Sequence, residues 1–362
     1  MKRMTLVLPG IMAGMSCFAA TAGGMASANG QAGQRASTNA SPEANVPAIP
    51  CYTNPNAAVS MGDPFALRHG GMYYLYATSA GDGFKAWRSK DLVNWTELGY
   101  VYRRTSNTWG TGSFWAPEVT HYRGKFYMVY SCNRERGGGF RLCIAVSDRP
   151  EGPFTDLHAP WCDNGWSCID ADLFIDDDGA PYLFFDKVGT VTNPVKYMYG
   201  MIYGMKLKPD LSGPAGEPVL CAQADHEWED PLSTLSRCNE GAFVFTHGGR
   251  YYMTYSVSHY ASPRYGIGYA TAPAPLGPWT KAANNPLAVT DASIGVSGPG
   301  HNSVVSSPDG TELFMVYHTH ANMERKGGRV LNIDRLVFGG EGELKLIGPT
   351  RAPQPYPSAA SK

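Results

Sequence analysis

Four polar side chains recur at nearly one phase of a repeating pattern: Asp63, Asp170, Glu240 and His301. Each stands shortly before an aromatic position that returns along the chain. Asp63 lies 11 residues ahead of Tyr74, Asp170 is 12 ahead of Tyr182, Glu240 is 12 ahead of Tyr252, and His301 is 13 ahead of Phe314. Carboxylates buried together are costly unless they are partnered or put to use. Three that face one cavity repel each other, so at least one keeps its proton to higher pH. A protonated acid beside an ionised base is what glycoside hydrolysis requires. One group protonates the leaving oxygen, and the other activates water, or attacks, on the opposite face of the sugar. For any one acid alone, capping a turn before a strand is the simpler reading. The shared phase in three units favours chemistry.

The elements that must hold these groups are strands. A glycine turn followed by an aromatic and aliphatic run appears at 71–76, 124–130, 179–185, 249–255 and 310–317. Aligning Tyr74, Tyr127, Tyr182, Tyr252 and Phe314 gives spacings of 53, 55, 70 and 62 residues. A second element follows at 86–95, 145–154 and 270–279. A period this long, with several strands per unit, predicts propeller blades whose innermost strands line a central channel. Five units fit residues 50–350, so the expected fold is an all-β five-bladed β-propeller with four-stranded blades. A β-sandwich with coincidental hairpins lacks such a period. Each innermost strand would begin near a polar residue, at Asp63, Glu118, Asp170, Glu240 and His301, and those groups would converge at one mouth of the channel. Glu118 fits the phase only roughly and reads as structural.

Composition agrees. Of 362 residues, 43% are hydrophobic, 12% aromatic and 17% charged, with 42 Gly and 27 Pro. Aromatic strands broken by glycine and proline turns fit that profile, and a helical bundle does not. Thirty basic against 31 acidic residues give a net charge of −1, with no basic surplus for nucleic acid.

Met1-Lys2-Arg3 precedes an uncharged, mostly apolar stretch over 4–22, with small-x-small sites at Ala20-Thr21-Ala22 and Ala26-Ser27-Ala28. Residues 1–28 read as a signal peptide and 29–49 as a flexible leader, which predicts export to a periplasmic or extracellular space. Cys17 follows Gly14-Met15-Ser16, a lipoprotein box without its usual leucine. The other seven cysteines offer the local pairs Cys132 with Cys143, Cys162 with Cys168 and Cys221 with Cys238, leaving Cys51 over. Residues 351–362 read as a C-terminal tail.

Other clusters carry less. Asp176-Asp177-Asp178-Gly179 lacks the glutamate that a calcium loop needs and reads as a hairpin turn. His318 and His320 share a strand face and read as a packed or hydrogen-bonded pair. Trp87, Trp95 and Trp279 read as packing between blades.

Taken in order, Gly62-Asp63-Pro64-Phe65, Trp115-Ala-Pro-Glu118, Ile169-Asp170, Asn239-Glu240-Gly241 and Gly298-Pro-Gly-His301-Asn302 give the chain a resemblance to glycoside hydrolase family 43 over about residues 50–350. That family comprises five-bladed arabinofuranosidases, xylosidases and arabinanases. The resemblance implies an inverting mechanism on pentose-containing oligo- or polysaccharides such as arabinan, arabinoxylan or xylan fragments. It implies Asp63 as general base, Glu240 as general acid, and Asp170 as the group that orients the acid and raises its pKa. His301 resembles an axial histidine supporting Ca2+, another cation or water in the channel, with no cofactor required. Arg329 resembles an arginine that reaches the sugar, and Trp115 an aromatic wall of the same subsite. The chain departs from the family pattern at Ala171 and Ala242, where proline is frequent, and lacks the His-Asp-Pro opening of endo-acting arabinanases. A retaining fructan-type propeller would show Asn-Asp-Pro, Arg-Asp-Pro and Glu-Cys motifs, which are missing. A non-catalytic sugar-binding propeller would be free to lose a carboxylate, and all three are present. Arabinofuranose and xylopyranose stay equally open at this level, as do exo and endo action.

Overall fold

Twenty-three short strands and two three-residue 3-10 turns make up the computed structural model, which describes residues 50–135, 138–325 and 328–360. The expected signal peptide, leader and Cys17 lie outside the described residues, as do Gly137 and Gly327. Among the described residues no helix is long and apolar enough to cross a membrane.

The strands fall into five blades. The first comprises β3 (Gly62–His69), β4 (Met72–Thr78), β5 (Gly83–Ser89) and β6 (Thr96–Arg103), after the short leading strands β1 (Cys51–Tyr52) and β2 (Asn56–Ser60). The second comprises β7 (Gly112–Tyr122), β8 (Lys125–Asn133), β9 (Arg141–Ser147) and β10 (Thr155–His158). The third comprises β11 (Cys168–Ile175), β12 (Pro181–Val191), β13 (Tyr197–Lys206) and β14 (Val219–Gln223). The fourth comprises β15 (Ser236–His247), β16 (Arg250–Val257), β17 (Gly266–Ala272) and β18 (Thr280–Lys281). The fifth comprises β19 (Gly300–Ser306), β20 (Leu313–His320), β21 (Arg329–Phe338) and β22 (Leu344–Ile347). Pairing within each blade is antiparallel. One parallel step, Met198–Gly200 of β13 against Ser236–Cys238 of β15, joins the third blade to the fourth.

The aromatic runs form the second strands because those strands are sandwiched on both faces. Every residue of β20 is buried. One apolar cluster packs Tyr73, Leu75 and Trp87 of the first blade against Phe314, Val316 and Ile333 of the fifth, with Trp95 at its edge. Another packs Phe174 and Phe184 of the third against Val244 and Met253 of the fourth, with Trp279 beside it. These side chains lose their apolar surface to a neighbouring blade, which is the main force closing the ring.

Closure is completed by chain ends. Strand β2 pairs with β21, so residues ahead of the first blade complete the fifth. Strand β1 pairs with β23 (Gln354–Pro355), and Ser358 bonds Glu312 and Ser307. The first part of the expected tail is therefore tied into this seam.

Each innermost strand carries a β-bulge near its start. The register slips between Gly62 and Phe65, Trp115 and Glu118, Ile169 and Asp172, Glu240 and Phe243, and Gly300 and Ser303. At each bulge one residue takes positive φ: Asp63 at 55°, Ala116 at 45°, Asp170 at 55°, Gly241 at 60° and His301 at 47°. Bulges re-aim side chains and concentrate at functional rims. Two sequence expectations are corrected here. Asp63, Asp170 and His301 are true equivalents, but Glu240 sits one residue ahead of its bulge, matching Gly62, Trp115, Ile169 and Gly300. The second blade begins at Gly112, and Glu118 sits two residues past its bulge, equivalent to Asp172.

Candidate active site

The bulged ends of the innermost strands bring Asp63, Asp170, Glu240 and His301 together at one end of the channel. The cavity at the opposite end is lined by Phe65, Leu67, Val119, Phe243 and Phe245 with Arg68 and three histidines, and no Asp or Glu is among its described lining residues.

Asp63 is buried, and burial alone would raise its pKa. The Arg329 guanidinium outweighs that effect, with help from His301, His318 and the Thr78 hydroxyl, and holds the carboxyl well below its usual range. Arg329 grips it with two nitrogens, Nη1 to Oδ1 at 2.5 Å and Nη2 to Oδ2 at 3.3 Å. A two-point contact of this kind fixes orientation as well as charge. Gly62 makes the approach feasible, because a Cβ there would overlap the guanidinium. Arg329, expected to reach the sugar, thus has its terminal nitrogens engaged by Asp63.

Glu240 has the opposite setting. Burial raises its pKa to about 7; the Asp63 charge adds to this, while a hydrogen bond from Tyr265 and the Arg329 charge oppose it. The Tyr265 hydroxyl donates to Oε1 at 2.8 Å. Its ring fits there because Gly300 has no side chain to occupy the space. Asp170 is pushed well above the carboxylate range by burial and by the charges of Glu240 and Asp63, and a hydrogen bond from Asp186 pulls it back. Their neighbours thus set the two carboxyls apart, Asp63 held below the usual carboxylate range and Glu240 raised above it.

His301 points Nδ1 at Asp63, 3.4 Å from Oδ1, and at Asp170, 3.9 Å from Oδ2. Burial lowers its pKa, so it stands mostly neutral. Among the described residues no group of three or more His, Cys, Asp or Glu is arranged to hold a metal ion. The donor set does not fit a cation held by protein side chains alone. Trp115 presents its ring to the outside at 38% exposure and lies over Phe140, with centroids 4.4 Å apart.

Two site groups, Asp186 and Tyr265, were missed in the sequence, and His318 was read there as a packed or hydrogen-bonded residue without a place in the site. His318 lies beside Asp63 and accepts its N–H on Nδ1 at 3.2 Å. Asp186 accepts the Gly241 N–H at 2.8 Å. Both stand four residues after an aligned aromatic, so the repeat did carry a signal for them. Tyr265 sits ahead of β17, outside any repeated position. His320, paired with His318 in the sequence reading, bonds Ser297 and the Tyr260 carbonyl on its own account. The 176–179 segment is a hairpin turn, closed by the Asp176 N–H to Ala180 and the Gly179 N–H to Asp176. Cys132 and Cys143 bring their sulfurs to 3.5 Å without a disulfide, and Cys162, Cys168, Cys221 and Cys238 stand as thiols.

Comparison with known proteins agrees with this architecture. The family model described as glycosyl hydrolases family 43 matches residues 52–343. A solved thermostable family-43 glycoside hydrolase is 47% identical, with a TM-score of 0.79 over 84% of this chain and 99% of that one. A structure titled endo-1,4-beta-xylanase from Bacteroides thetaiotaomicron is 32% identical, with a TM-score of 0.71 over 84% and 99%. A beta-D-galactofuranosidase of Aspergillus niger is 28% identical over 80% of this chain and 82% of its own length.

Proposed function

The chain belongs to glycosyl hydrolases family 43, and on that basis we propose that it is an inverting glycosidase of the α-L-arabinofuranosidase or β-xylosidase type, acting on pentose-containing plant oligo- or polysaccharides. In this reading Asp63, kept ionised by Arg329, is the general base that draws a proton from water. Glu240, kept protonated by burial, is the general acid that protonates the departing oxygen. Asp170 orients the acid and sets its acidity, and the exposed Trp115 ring is a platform for a sugar face. The observation that carries the reading is the contrast in partners of two buried carboxyls on innermost strands of one channel: Asp63 is gripped by the Arg329 guanidinium, and Glu240 has the Tyr265 hydroxyl. Inversion needs an ionised base and a protonated acid before the first bond breaks, because water attack and leaving-group protonation belong to a single displacement. The uncharged, apolar N-terminal segment supports export of the chain.

The test is a panel of aryl α-L-arabinofuranoside, β-D-xylopyranoside and β-D-galactofuranoside, with arabino- and xylo-oligosaccharides, the first-formed anomer being followed by NMR. Turnover of a pentoside with inverted configuration is expected. Retention, or turnover of the galactofuranoside alone, overturns the reading.

A further inference from the structure

Each blade receives one hydrogen bond from the next at the rim of the channel. The N–H of the bulged residue donates to a side chain on the second strand of the preceding blade. Ala116 donates to Thr78 Oγ1 at 2.8 Å, Asp170 to Ser131 Oγ at 2.9 Å, Gly241 to Asp186 Oδ2 at 2.8 Å, His301 to Ser256 Oγ at 2.7 Å, and Asp63 to His318 Nδ1 at 3.2 Å. The five acceptors stand at one place in the repeat. A hydroxyl serves in three blades, so a carboxyl in the third is more than the backbone bond requires.

Asp186 is wholly buried, and its Oδ1 receives no N–H or hydroxyl donor among the described residues. Asp186 stands opposite Ile169 in the pairing of β11 with β12, beside Asp170, and the two buried carboxyl groups perturb each other. Two buried carboxyl groups in contact are tolerable only if they share a proton. Asp170 also lies close to Glu240 and Asp63, so it would take up a proton of its own unless a neighbour donates one to it.

We propose that Asp186 is a positioning residue of the acid: it carries the proton it shares with Asp170, so that Asp170 stands anionic beside Glu240, and its Oδ2 pins the Gly241 amide next to the acid. The proposal rests on the reading of Glu240 as general acid. Burial and the Asp170 and Glu240 charges push Asp186 well above the carboxylate range, the direction expected of the proton carrier. The other groups facing the pair do not compete for the proton. Cys168 and Cys238 are pushed up to about 12 by burial and stay neutral. Tyr265 is raised well above its usual value, His301 is mostly neutral, and Arg329 is committed to Asp63.

The experiment compares pH profiles of kcat/KM for the wild type, Asp186→Ser, Asp186→Asn and Asp170→Asn. Serine can still accept the Gly241 N–H, as Ser131 and Ser256 do for their neighbours, but it gives no proton to Asp170. Asp170 should then protonate and stop raising Glu240, moving the alkaline limb down by about one unit, a roughly tenfold loss on that limb. Asparagine can accept from Gly241 and donate to Asp170, so its alkaline limb should stay where the wild type has it. A serine variant with the wild-type limb, or an asparagine variant displaced as far as serine, overturns the proposal. If the serine variant does not fold, infrared spectra of wild type and Asp186→Asn at pH 8 decide: a protonated-carboxyl band present in wild type and lost in the variant is expected, and its absence from wild type overturns the proposal. Glu240→Gln on the same substrates separates the two ideas. Undiminished activity on an oligosaccharide would remove the acid assignment itself, whatever the Asp186 series shows.

Discussion

Asp63 and Glu240 share a chemistry and a degree of burial but differ in their neighbours, and that difference sets their charges. Burial pushes both carboxyls up. Arg329 reverses the effect for Asp63 and only moderates it for Glu240. Replacing Arg329 by methionine keeps bulk and removes the charge. As the proposed base Asp63 is needed ionised, and without the guanidinium its pKa should climb, so activity should fail earlier as pH is lowered. The acidic limb of kcat/KM is expected to move up by about one to three units. Arg329→Lys should recover part of the shift, since it returns a charge without the two-point contact. An acidic limb unmoved in the methionine variant would show that Arg329 does not hold Asp63 ionised. The pair itself was not legible in the sequence. Both residues were singled out, but 266 positions separate them, and nothing local says that they touch.

At the scale of elements, the position just ahead of the bulge decides what stands over the channel. It is Gly62, Trp115, Ile169, Glu240 and Gly300 around the ring. One supplies Glu240, the proposed acid, one an exposed aromatic ring, and the two glycines leave room for Arg329 and Tyr265, the groups that bond Asp63 and Glu240. Gly62→Ala tests this. The added methyl meets only the far end of a flexible side chain, so the guanidinium should swing away while the strand stays in place. Melting should change by no more than a few degrees, whereas the acidic limb should shift in the same direction as in Arg329→Met. A large drop in Tm with an unmoved limb would mean that Gly62 serves the backbone and not the arginine. The repeat of polar residues was legible because strands impose a phase on sequence. The one-residue offset of Glu240 was not, because the left-handed position is Gly241 in its blade but Asp, Ala or His in the other four, so the bulges share no residue signature. Tyr265 was out of reach for a related reason: its place depends on a side chain that Gly300 lacks.

For the whole molecule, the ring is joined where its two ends meet, and the site straddles that joint. Asp63 comes from the first blade; Arg329, His318 and His301 come from the fifth. Joining them are the apolar cluster of those two blades, the β2–β21 pairing and a few residues ahead of it. Five blades could be read from the repeat period, but the leading strand that completes the fifth could not, because residues 51–60 carry no repeat motif and gain their partner only when the ring closes. Asn54 acts there as a strand pair in miniature. Its Nδ2 donates to the Ile333 carbonyl and its Oδ1 accepts the Ile333 N–H, each at 3.0 Å and buried. Asn54→Ala leaves that N–H without its acceptor, at a cost of about 1–3 kcal/mol. A loss of that size should lower Tm by several degrees. Because opening the joint parts Arg329 from Asp63, activity should disappear over the same lowered temperature range, while kcat/KM well below the transition stays close to wild type. Activity that survives past the melting transition, or a Tm lowered with no matching change in the inactivation temperature, would show that the site does not depend on this closure.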